Sequence, residues 1–171
     1  MLSDRMRKAI NDQINAELYS SYLYAAMSMY LESADMSGAA AWMKAQAREE
    51  LVHAGKFMDY VNERGGRVVL KAIEEPPSEW DSVLDVFQTA LGHEEKVSSM
   101  INGLVTLARE EKDHMTDNFL QWFVAEQVEE EASAAEVVRK LKLAGSSGGG
   151  MFMIDNELGR RGTDPATESG E

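Results

Sequence analysis

The 171-residue chain contains no cysteine, which excludes disulfide bonds, thiolate metal ligands and a cysteine nucleophile. Proline is scarce, with three residues of which two are adjacent at Pro76-Pro77, so long uninterrupted helices are possible. No apolar run reaches the ~18 residues that a membrane span needs. The charged N-terminal segment has no apolar stretch after it and does not resemble a secretory signal. These absences predict a cytoplasmic protein that has no membrane partner.

Positive charge is also in short supply. The chain carries 17 Lys and Arg against 30 Asp and Glu, a formal net charge of -13. Such a balance argues against nucleic acid or an anionic membrane as partner. It suits a protein that binds cations, although acidity also serves solubility alone.

Apolar residues recur at alternating spacings of three and four, which is typical of long amphipathic helices. The pattern predicts four helices over residues 5–34, 39–64, 82–110 and 114–143, and the segment 33–38 offers N-caps for the second. A linker of about 15 residues, 67–80, separates the second and third helices. A short fifth helix is predicted over Met151–Leu158, after a glycine-rich elbow.

The spacing of these elements predicts an all-α fold. Short first and last connections make antiparallel hairpins, whereas the middle linker is long enough to run the length of a bundle. The sequence therefore predicts a four-helix bundle of ferritin-like topology, with one long crossover between helices 2 and 3 and a short fifth C-terminal helix. We expect residues 1–158 to form this one domain and residues 159–171 to be a disordered tail.

Polar residues interrupt the apolar stripe in the middle of every predicted helix. They are Glu17 in the first helix, Glu50 and His53 in the second, Glu94 in the third, and Gln127 and Glu130 in the fourth. Three pairs of them, Glu17 with Glu94, Glu50 with Gln127 and His53 with Glu130, are each separated by 77 residues. A common offset indicates a helical hairpin duplicated within the chain.

Burial of several carboxylates and an imidazole is unfavourable unless something compensates their charge. Divalent cations are the simplest compensation, since two bundle helices giving a Glu each and two giving Glu-x-x-His build di-iron and di-manganese centres. The second half has Gln127-x-x-Glu130 instead, so its metal position would see oxygen ligands only, which suits Fe²⁺, Mn²⁺ or Fe³⁺. The alternative is that these residues face water.

A second acidic group lies one residue further along the helices. Glu49 and Glu126 are again 77 residues apart, and Glu129 and Glu130 follow on the face of Glu126. These four residues predict a third metal position that shares Glu130. A solvated run of charge in "EQVEEE" is the alternative interpretation.

With these residues in place, the chain resembles the bacterial non-haem ferritins from Met1 to about Glu157. The stretches that carry the resemblance are "NAELYSSYLY", "REELVHAGKFMDYVNERGG", "NFLQWFVAEQVEEE" and "LAGSSGGGMFMIDNEL". The resemblance implies a 24-subunit hollow shell that binds Fe²⁺, oxidises it with O₂ or H₂O₂ at a di-iron ferroxidase centre within each subunit, and stores ferric mineral.

The same resemblance implies roles for individual residues. The first iron would be held by Glu17, Glu50 and His53, with Glu50 bridging to a second iron held by Glu94 and Glu130. Gln127 would be a ligand or a hydrogen-bond donor beside the second iron. The third site would use Glu49, Glu126, Glu129 and Glu130.

Aromatic and histidine residues near the predicted centre have weaker assignments. Tyr24 resembles the family's tyrosine beside the di-iron pair, and Trp122 is a further redox candidate, with core packing as the alternative for both. His93 and His114 lie off the stripes and are predicted to be surface residues. Leu51 stands where bacterioferritins have a haem-binding methionine, so we expect no haem.

Two other function classes remain open at this point. A di-metal bundle oxygenase would need an apolar substrate pocket, for which the bulky residues around the predicted centre leave little room. A non-catalytic helical scaffold with acidic surfaces would be indifferent to removal of the fifth helix, whereas loss of that helix should impair assembly of a ferritin.

Overall fold

The computed structural model describes residues 1–161 and contains five helices in that range. Their bounds are α1 Asp4–Ser33, α2 Ser37–Glu63, α3 Val83–Glu110, α4 His114–Ala144 and α5 Gly148–Arg161. No strand occurs within the described range, and the predicted all-α class is confirmed. None of these helices is long and apolar enough to cross a membrane.

Side-chain caps explain where three of the long helices begin. Ser3, Ser82 and Asp113 each accept a hydrogen bond from the backbone N–H three residues ahead, at the starts of α1, α3 and α4. Such caps satisfy an amide that has no partner within the helix. Helix α2 differs, because Met36 at its N-cap supplies no side-chain bond. The N-cap position thus lies within the predicted segment 33–38, but the side-chain cap expected from that segment is absent.

The start of α2 is instead capped by α5. Asp155 Oδ1 accepts a hydrogen bond of 2.8 Å from the backbone N–H of Ala39. The two helices approach so closely that a Cβ atom at Gly38 would lie 1.8 Å from the carbonyl oxygen of Asp155. Glycine is therefore required at position 38 for α5 to pack where it does.

Helix α5 is longer than the predicted Met151–Leu158 at both ends. Ser147 caps its start, where its hydroxyl accepts from the N–H of Gly150 and its carbonyl from the N–H of Met151. This cap, together with packing on α2, outweighs the low helix propensity of the three glycines. Three residues of the predicted tail, 159–161, belong to the helix, and residues 162–171 lie outside the described range.

The linker between α2 and α3 runs along α1. Near its start, Asn11 accepts a hydrogen bond of 2.6 Å from the backbone N–H of Val69, and near its end Tyr30 donates one of 2.6 Å to the carbonyl of Trp80. Asn11 and Tyr30 are separated by ~28 Å along the helix, at 1.5 Å per residue. The linker thus spans most of the bundle, as the crossover topology requires.

The apolar core consists of two clusters. One contains Tyr24, Met27, Met43 and Phe87 with their neighbours; the other is built around Ile10, Phe57, Ile101 and Leu120. In each of the four long helices, the buried positions predicted as ligands fall between the segments that enter the two clusters. The fold therefore places a polar layer at mid-height, enclosed by apolar packing on both sides.

Candidate metal centre

Three residues of the first hairpin converge in the polar layer. Glu17 on α1 meets Glu50 and His53 on α2, and one ligand atom from each lies within 4.8 Å of the others. All three side chains are buried. Glu50 and His53 are three positions apart and share one face of α2, so the predicted phase of the stripe is correct for this group.

The arrangement is costly without a cation. Burial raises the pKa of Glu17 well above its ordinary value, and the nearby Glu50 adds to the effect. Burial and the charge of Glu94 do the same to the pKa of Glu50. The Oε2 atoms of Glu17 and Glu50 are buried and accept no hydrogen bond, and His53 Nδ1 lies 3.4 Å from Glu50 Oε2. A metal ion bound by this group would give these oxygens a partner.

The second hairpin contributes Glu94, which is buried but already hydrogen-bonded. Tyr24 donates to Glu94 Oε1, and the Gln127 amide donates to Glu94 Oε2 over 3.1 Å. Burial raises the pKa of Glu94, while these two donors act in the opposite direction. Gln127 therefore holds a carboxylate through its N–H group.

A second group of possible ligands forms beside the first. One ligand atom each from His53, Glu126 and Glu130 lies within 4.8 Å of the others, and Gln46 donates to Glu130 Oε2 over 2.6 Å. Of the four residues predicted for a third position, Glu126 and Glu130 are thus brought together.

The other two residues predicted for the third position lie differently. Glu49 is close enough to Glu50 to raise the pKa of that carboxyl. Glu129 is exposed and belongs to neither convergent group. Ligand roles for Glu49 and Glu129 stay predictions.

The two aromatic candidates occupy different environments. Tyr24 is buried, and burial, followed by the charge of Glu94, raises its pKa well above 10.0, so its hydroxyl keeps the proton that it donates to Glu94. Trp122 is 38% exposed; its ring contacts the His53 ring at 5.5 Å between centroids, and the Lys56 ammonium lies 4.4 Å from its centroid. Contact with His53 was not expected from the sequence.

His93 is not a surface residue, contrary to the prediction. Its ring is partly buried against Tyr19 and Tyr24, and its Nε2 lies 2.7 Å from the hydroxyl of Ser20. Burial, assisted by Lys96, lowers the pKa of His93 to about 4. A flank of α3 beside the stripe is covered by α1, which the pattern of α3 alone does not reveal. His114 is exposed, as predicted.

Sequence reasoning missed two glutamines that contact the predicted ligands. Gln13 donates to Glu17 Oε1 over 2.8 Å, and Gln46, which lay on the α2 stripe without an assigned role, donates to Glu130. Each precedes a predicted ligand of its own helix by four positions and so shares its face. An amide one turn before an in-phase carboxylate is the signal that could have identified them.

The chemistry of this donor set is that of a site for a hard or borderline divalent cation. Carboxylate oxygens dominate, with one imidazole, and no thiolate is available in a chain without cysteine. Such ligands suit Fe²⁺ and Mn²⁺. The buried acceptor oxygens without partners fit the same interpretation.

Comparison with known proteins identifies the family. A family profile described as a ferritin-like domain matches residues 7–144. The chain belongs to the ferritin family. The ferritin match, the ferritin-like bundle and the names of its relatives support iron storage as its function.

Relatives match this ferritin over nearly its full length. A bacterial non-haem ferritin from Bacteroides fragilis is 46% identical over 161 residues, covering 94% of this chain and 100% of the relative. One from Escherichia coli is 40% identical over 158 residues, 92% of this chain and 96% of that protein. The predicted resemblance to bacterial non-haem ferritins is confirmed.

Solved structures agree with the fold of this ferritin. An open-pore ferritin from the hyperthermophilic archaeon Archaeoglobus fulgidus superposes with a TM-score of 0.92 at 52% identity, covering 93% of this chain and 98% of the other. A humanized archaeal ferritin gives the same TM-score at 49% identity, with 93% and 96% coverage. The predicted ferritin topology is therefore confirmed.

Proposed function

We propose that this ferritin is a ferroxidase as well as a store: it binds Fe²⁺ within each subunit, oxidises it with O₂ or H₂O₂, and deposits ferric mineral inside a 24-subunit shell. The observation that carries the proposal is the convergence of Glu17, Glu50 and His53. Their buried oxygens without hydrogen-bond partners provide a binding site for a cation substrate.

The two hairpins divide the binding of two Fe²⁺ ions. Glu17 and His53 hold the first ion, Glu94 and Glu130 hold the second, and Glu50 is shared between them. Gln127 supports Glu94, and Glu126 with Glu130, joined by Glu49 and Glu129, forms a third position from which iron leaves the pair. Burial raises the pKa values of Glu17 and Glu50 in the metal-free protein, and Fe²⁺ binds the deprotonated carboxylates, so metal binding favours release of protons.

The overall reaction with oxygen transfers one electron from each of two Fe²⁺ ions. Two Fe²⁺, one O₂ and two protons give two Fe³⁺ and one H₂O₂. Anionic oxygen ligands stabilise Fe³⁺ more than Fe²⁺, which favours electron loss. Tyr24 keeps its proton at neutral pH and holds Glu94 in place while the charge on iron rises.

Assembly into a shell is supported by the surface of the subunit. Large apolar side chains are exposed on α1, α2 and α5, among them Tyr22, Met29, Leu51, Val52, Phe152 and Met153. Scattered apolar residues are normal on a surface, but sets of this size on elongated helices suit contacts between subunits. An open-pore ferritin among the structural relatives is consistent with a hollow assembly.

A stopped-flow titration of metal-free protein with Fe²⁺ in air tests the proposal. We expect a fast ferric absorbance change that saturates at about two or three irons per subunit, followed by slower uptake of many more per assembly. A break at two with no later uptake would indicate a di-iron enzyme that does not store iron. The absence of any fast phase would contradict the ferroxidase assignment.

Removal of Glu50 should have the largest effect on this reaction. Glu50→Ala removes a shared ligand and a buried charge together, so we expect the fast phase to slow by at least ~100-fold with the fold retained. Glu63→Ala is the matched control, because Glu63 is another glutamate of α2 but is exposed. Near-normal oxidation by Glu50→Ala would refute the assignment of the centre.

A further inference from the structure

Buried glutamine amides contact three of the four carboxylates proposed to hold the metal pair. Gln13 Nε2 donates to Glu17 Oε1 over 2.8 Å, Gln127 Nε2 to Glu94 Oε2 over 3.1 Å, and Gln46 Nε2 to Glu130 Oε2 over 2.6 Å. All three glutamines are buried. The fourth carboxylate, Glu50, receives no amide side chain within the described part of the chain.

The consequence is clearest at Glu17. Its Oε1 atom is occupied by the Gln13 amide, while its Oε2 atom is buried and has no hydrogen-bond partner. The Gln13 amide therefore orients Oε1 of Glu17, and Oε2 is the oxygen left without a hydrogen-bond partner for a cation to bind. Glu50 has no amide partner; its Oε2 atom also accepts no hydrogen bond and lies 3.4 Å from Nδ1 of His53.

The choice of an amide has a chemical reason. A lysine or arginine in place of one of these glutamines would also hold a carboxylate. Its positive charge, however, would repel an incoming cation and offset the negative charge of the carboxylate ligand. An amide N–H group directs one carboxylate oxygen and leaves the negative charge for the metal. It is neutral, so its own burial costs far less than burial of a charge.

We propose that Gln13 and Gln46 are positioning residues that each hold one oxygen of Glu17 and Glu130 and so orient these carboxylates toward the metal, whereas Glu50, without an amide partner, is the carboxylate able to bridge two ions. This inference rests on the proposed metal centre. It adds to that centre two residues that touch no metal but determine how their partners bind it. Glu94 is a separate case, because Tyr24 and Gln127 engage both of its oxygens.

Gln46 also connects two metal positions. Glu130 belongs to the group formed with His53 and Glu126, and Gln46 holds the Oε2 atom of Glu130 from the side of α2. The Gln46 bond therefore fixes the orientation of the Glu130 carboxylate within this group. Release of the Gln46 bond would let Glu130 engage two ions or exchange an ion between positions.

The test uses Zn²⁺ as a redox-inactive probe on the intact, metal-free assembly. Affinity is measured by calorimetry, and the carboxylate stretching bands of Zn²⁺-loaded minus metal-free protein are measured by difference infrared spectroscopy. Gln13→Met keeps the side-chain volume but removes the donor. We expect about tenfold weaker binding at the first position and a change in the carboxylate bands, because Glu17 can then bind through both oxygens.

Asn11→Ala is the matched control for Gln13→Met. Asn11 is another buried amide on α1, two residues earlier, and its recorded partners are backbone groups of Arg7, Arg67 and Val69. We expect it to lower stability without altering Zn²⁺ affinity or the carboxylate bands. An equal change in the control would overturn the inference, because both effects would then come from loosening of α1.

Two further variants keep the inference testable if Gln13→Met folds poorly. In the Glu17→Ala background, Gln13→Met should have no additional effect on Zn²⁺ binding, since its partner is already gone. Gln46→Met should weaken the positions that use Glu130 by about tenfold and leave the first position unchanged. A full additional loss in the first case, or no change in the second, would overturn the inference.

The outcome also separates this inference from the proposed function. If the wild-type assembly binds no Zn²⁺, the metal centre and the inference fail together. If the wild type binds Zn²⁺ and oxidises Fe²⁺ but Gln13→Met and Gln46→Met match it in affinity and in the infrared bands, the positioning roles alone are wrong.

Discussion

The two hairpins, α1–α2 and α3–α4, present matched polar positions to the middle of the bundle but prepare them differently. In the first, Glu17, Glu50 and His53 converge, and two of their oxygens have no hydrogen-bond partner. In the second, Glu94 is held at both oxygens, and Gln127 stands where the first hairpin has Glu50. The first hairpin is therefore ready for a cation, whereas the second must break internal hydrogen bonds to receive one.

A single substitution within the duplicated pattern accounts for much of this difference. An amide at position 127 carries no charge and donates hydrogen bonds, so it reduces the repulsion among buried carboxylates and gives Glu94 a partner in the metal-free state. A carboxylate at the equivalent position 50 does neither. The comparison predicts that the first hairpin provides the tighter binding position, although both halves keep the same spacing of polar positions.

The largest change in Zn²⁺ affinity is expected when one proposed ligand is removed from each hairpin in turn. We expect Glu17→Ala to weaken the tightest Zn²⁺ position by ~100-fold or more. Loss of a residue that only hydrogen-bonds to a metal ligand already lowers metal affinity about 10–100-fold, and Glu17 is proposed as a ligand itself. Glu94→Ala should leave that position within about threefold of wild type. Calorimetric titration of metal-free protein measures both; equal losses in the two variants would show that the halves do not fill in order.

The pH dependence of stability follows from the raised pKa of Glu50. Without metal, the folded state binds a proton at the Glu50 carboxyl more tightly than the unfolded chain does. The stability that comes from this proton is therefore fully present below the ordinary pKa of 4.5, and it is lost as pH rises through the raised pKa of the folded state. Glu50→Gln removes the titrating group. We expect it to stabilise metal-free protein by ~2 kcal/mol more at pH 8 than at pH 5.

The measurement is thermal unfolding of both proteins at the two pH values, with and without Zn²⁺. Added Zn²⁺ should stabilise the wild type at pH 8 but have a smaller effect on Glu50→Gln, since the variant has lost a ligand. A stability difference between the two metal-free proteins that is the same at pH 5 and pH 8 would contradict the raised pKa.

Gln127→Glu sharpens the comparison by making the halves more alike. The variant loses the N–H donor to Glu94 Oε2 and gains a carboxylate, so the second position becomes more negative and one oxygen of Glu94 is released. We expect Zn²⁺ to bind at the second position about tenfold more tightly at pH 8, which lies within the range of affinity changes usual for residues that hydrogen-bond to metal ligands. Competition with a chromophoric chelator measures this, and weaker binding would mean that the amide is needed to hold Glu94.

The smallest expected effect concerns the starts of α2 and α4, the equivalent helices of the repeat. Asp113 caps α4 from within, whereas α2 depends on Asp155 of α5. Asp155→Ala should cost ~1 kcal/mol and accelerate hydrogen exchange at the Ala39 amide and in α5. Asp113→Ala is the contrasting variant and should leave exchange in α5 unchanged; equal acceleration there would refute a local role for Asp155.

The sequence alone predicted the parts of this structure that depend on periodicity. Stripes of apolar residues located the four long helices to within a few residues, and the phase of the interruptions placed Glu17, Glu50 and His53 on one interior face. Contacts between helices were harder to foresee. His93 is covered by α1, and Asp155 caps α2, although neither relation leaves a trace within its own helix.

Side chains with more than one plausible role were the other source of error. A buried glutamine in a stripe is compatible with simple packing, so the spacing of Gln13 from Glu17 was not interpreted as a contact, and the partner of Gln46 on α4 became evident only once the helices were placed side by side. The start of α5 was missed because three glycines lower helix propensity, while the cap from Ser147 acts against them.

The close contact at Gly38 has a consequence for anyone who would modify this protein. Because a Cβ there would overlap the backbone of Asp155, no other genetically encoded residue can stand at position 38 while α5 stays docked. The docking of α5 thus depends on the absence of a side chain at a position more than a hundred residues earlier in the chain. A library that varies residue 38 would sort subunits by whether α5 is docked on α2.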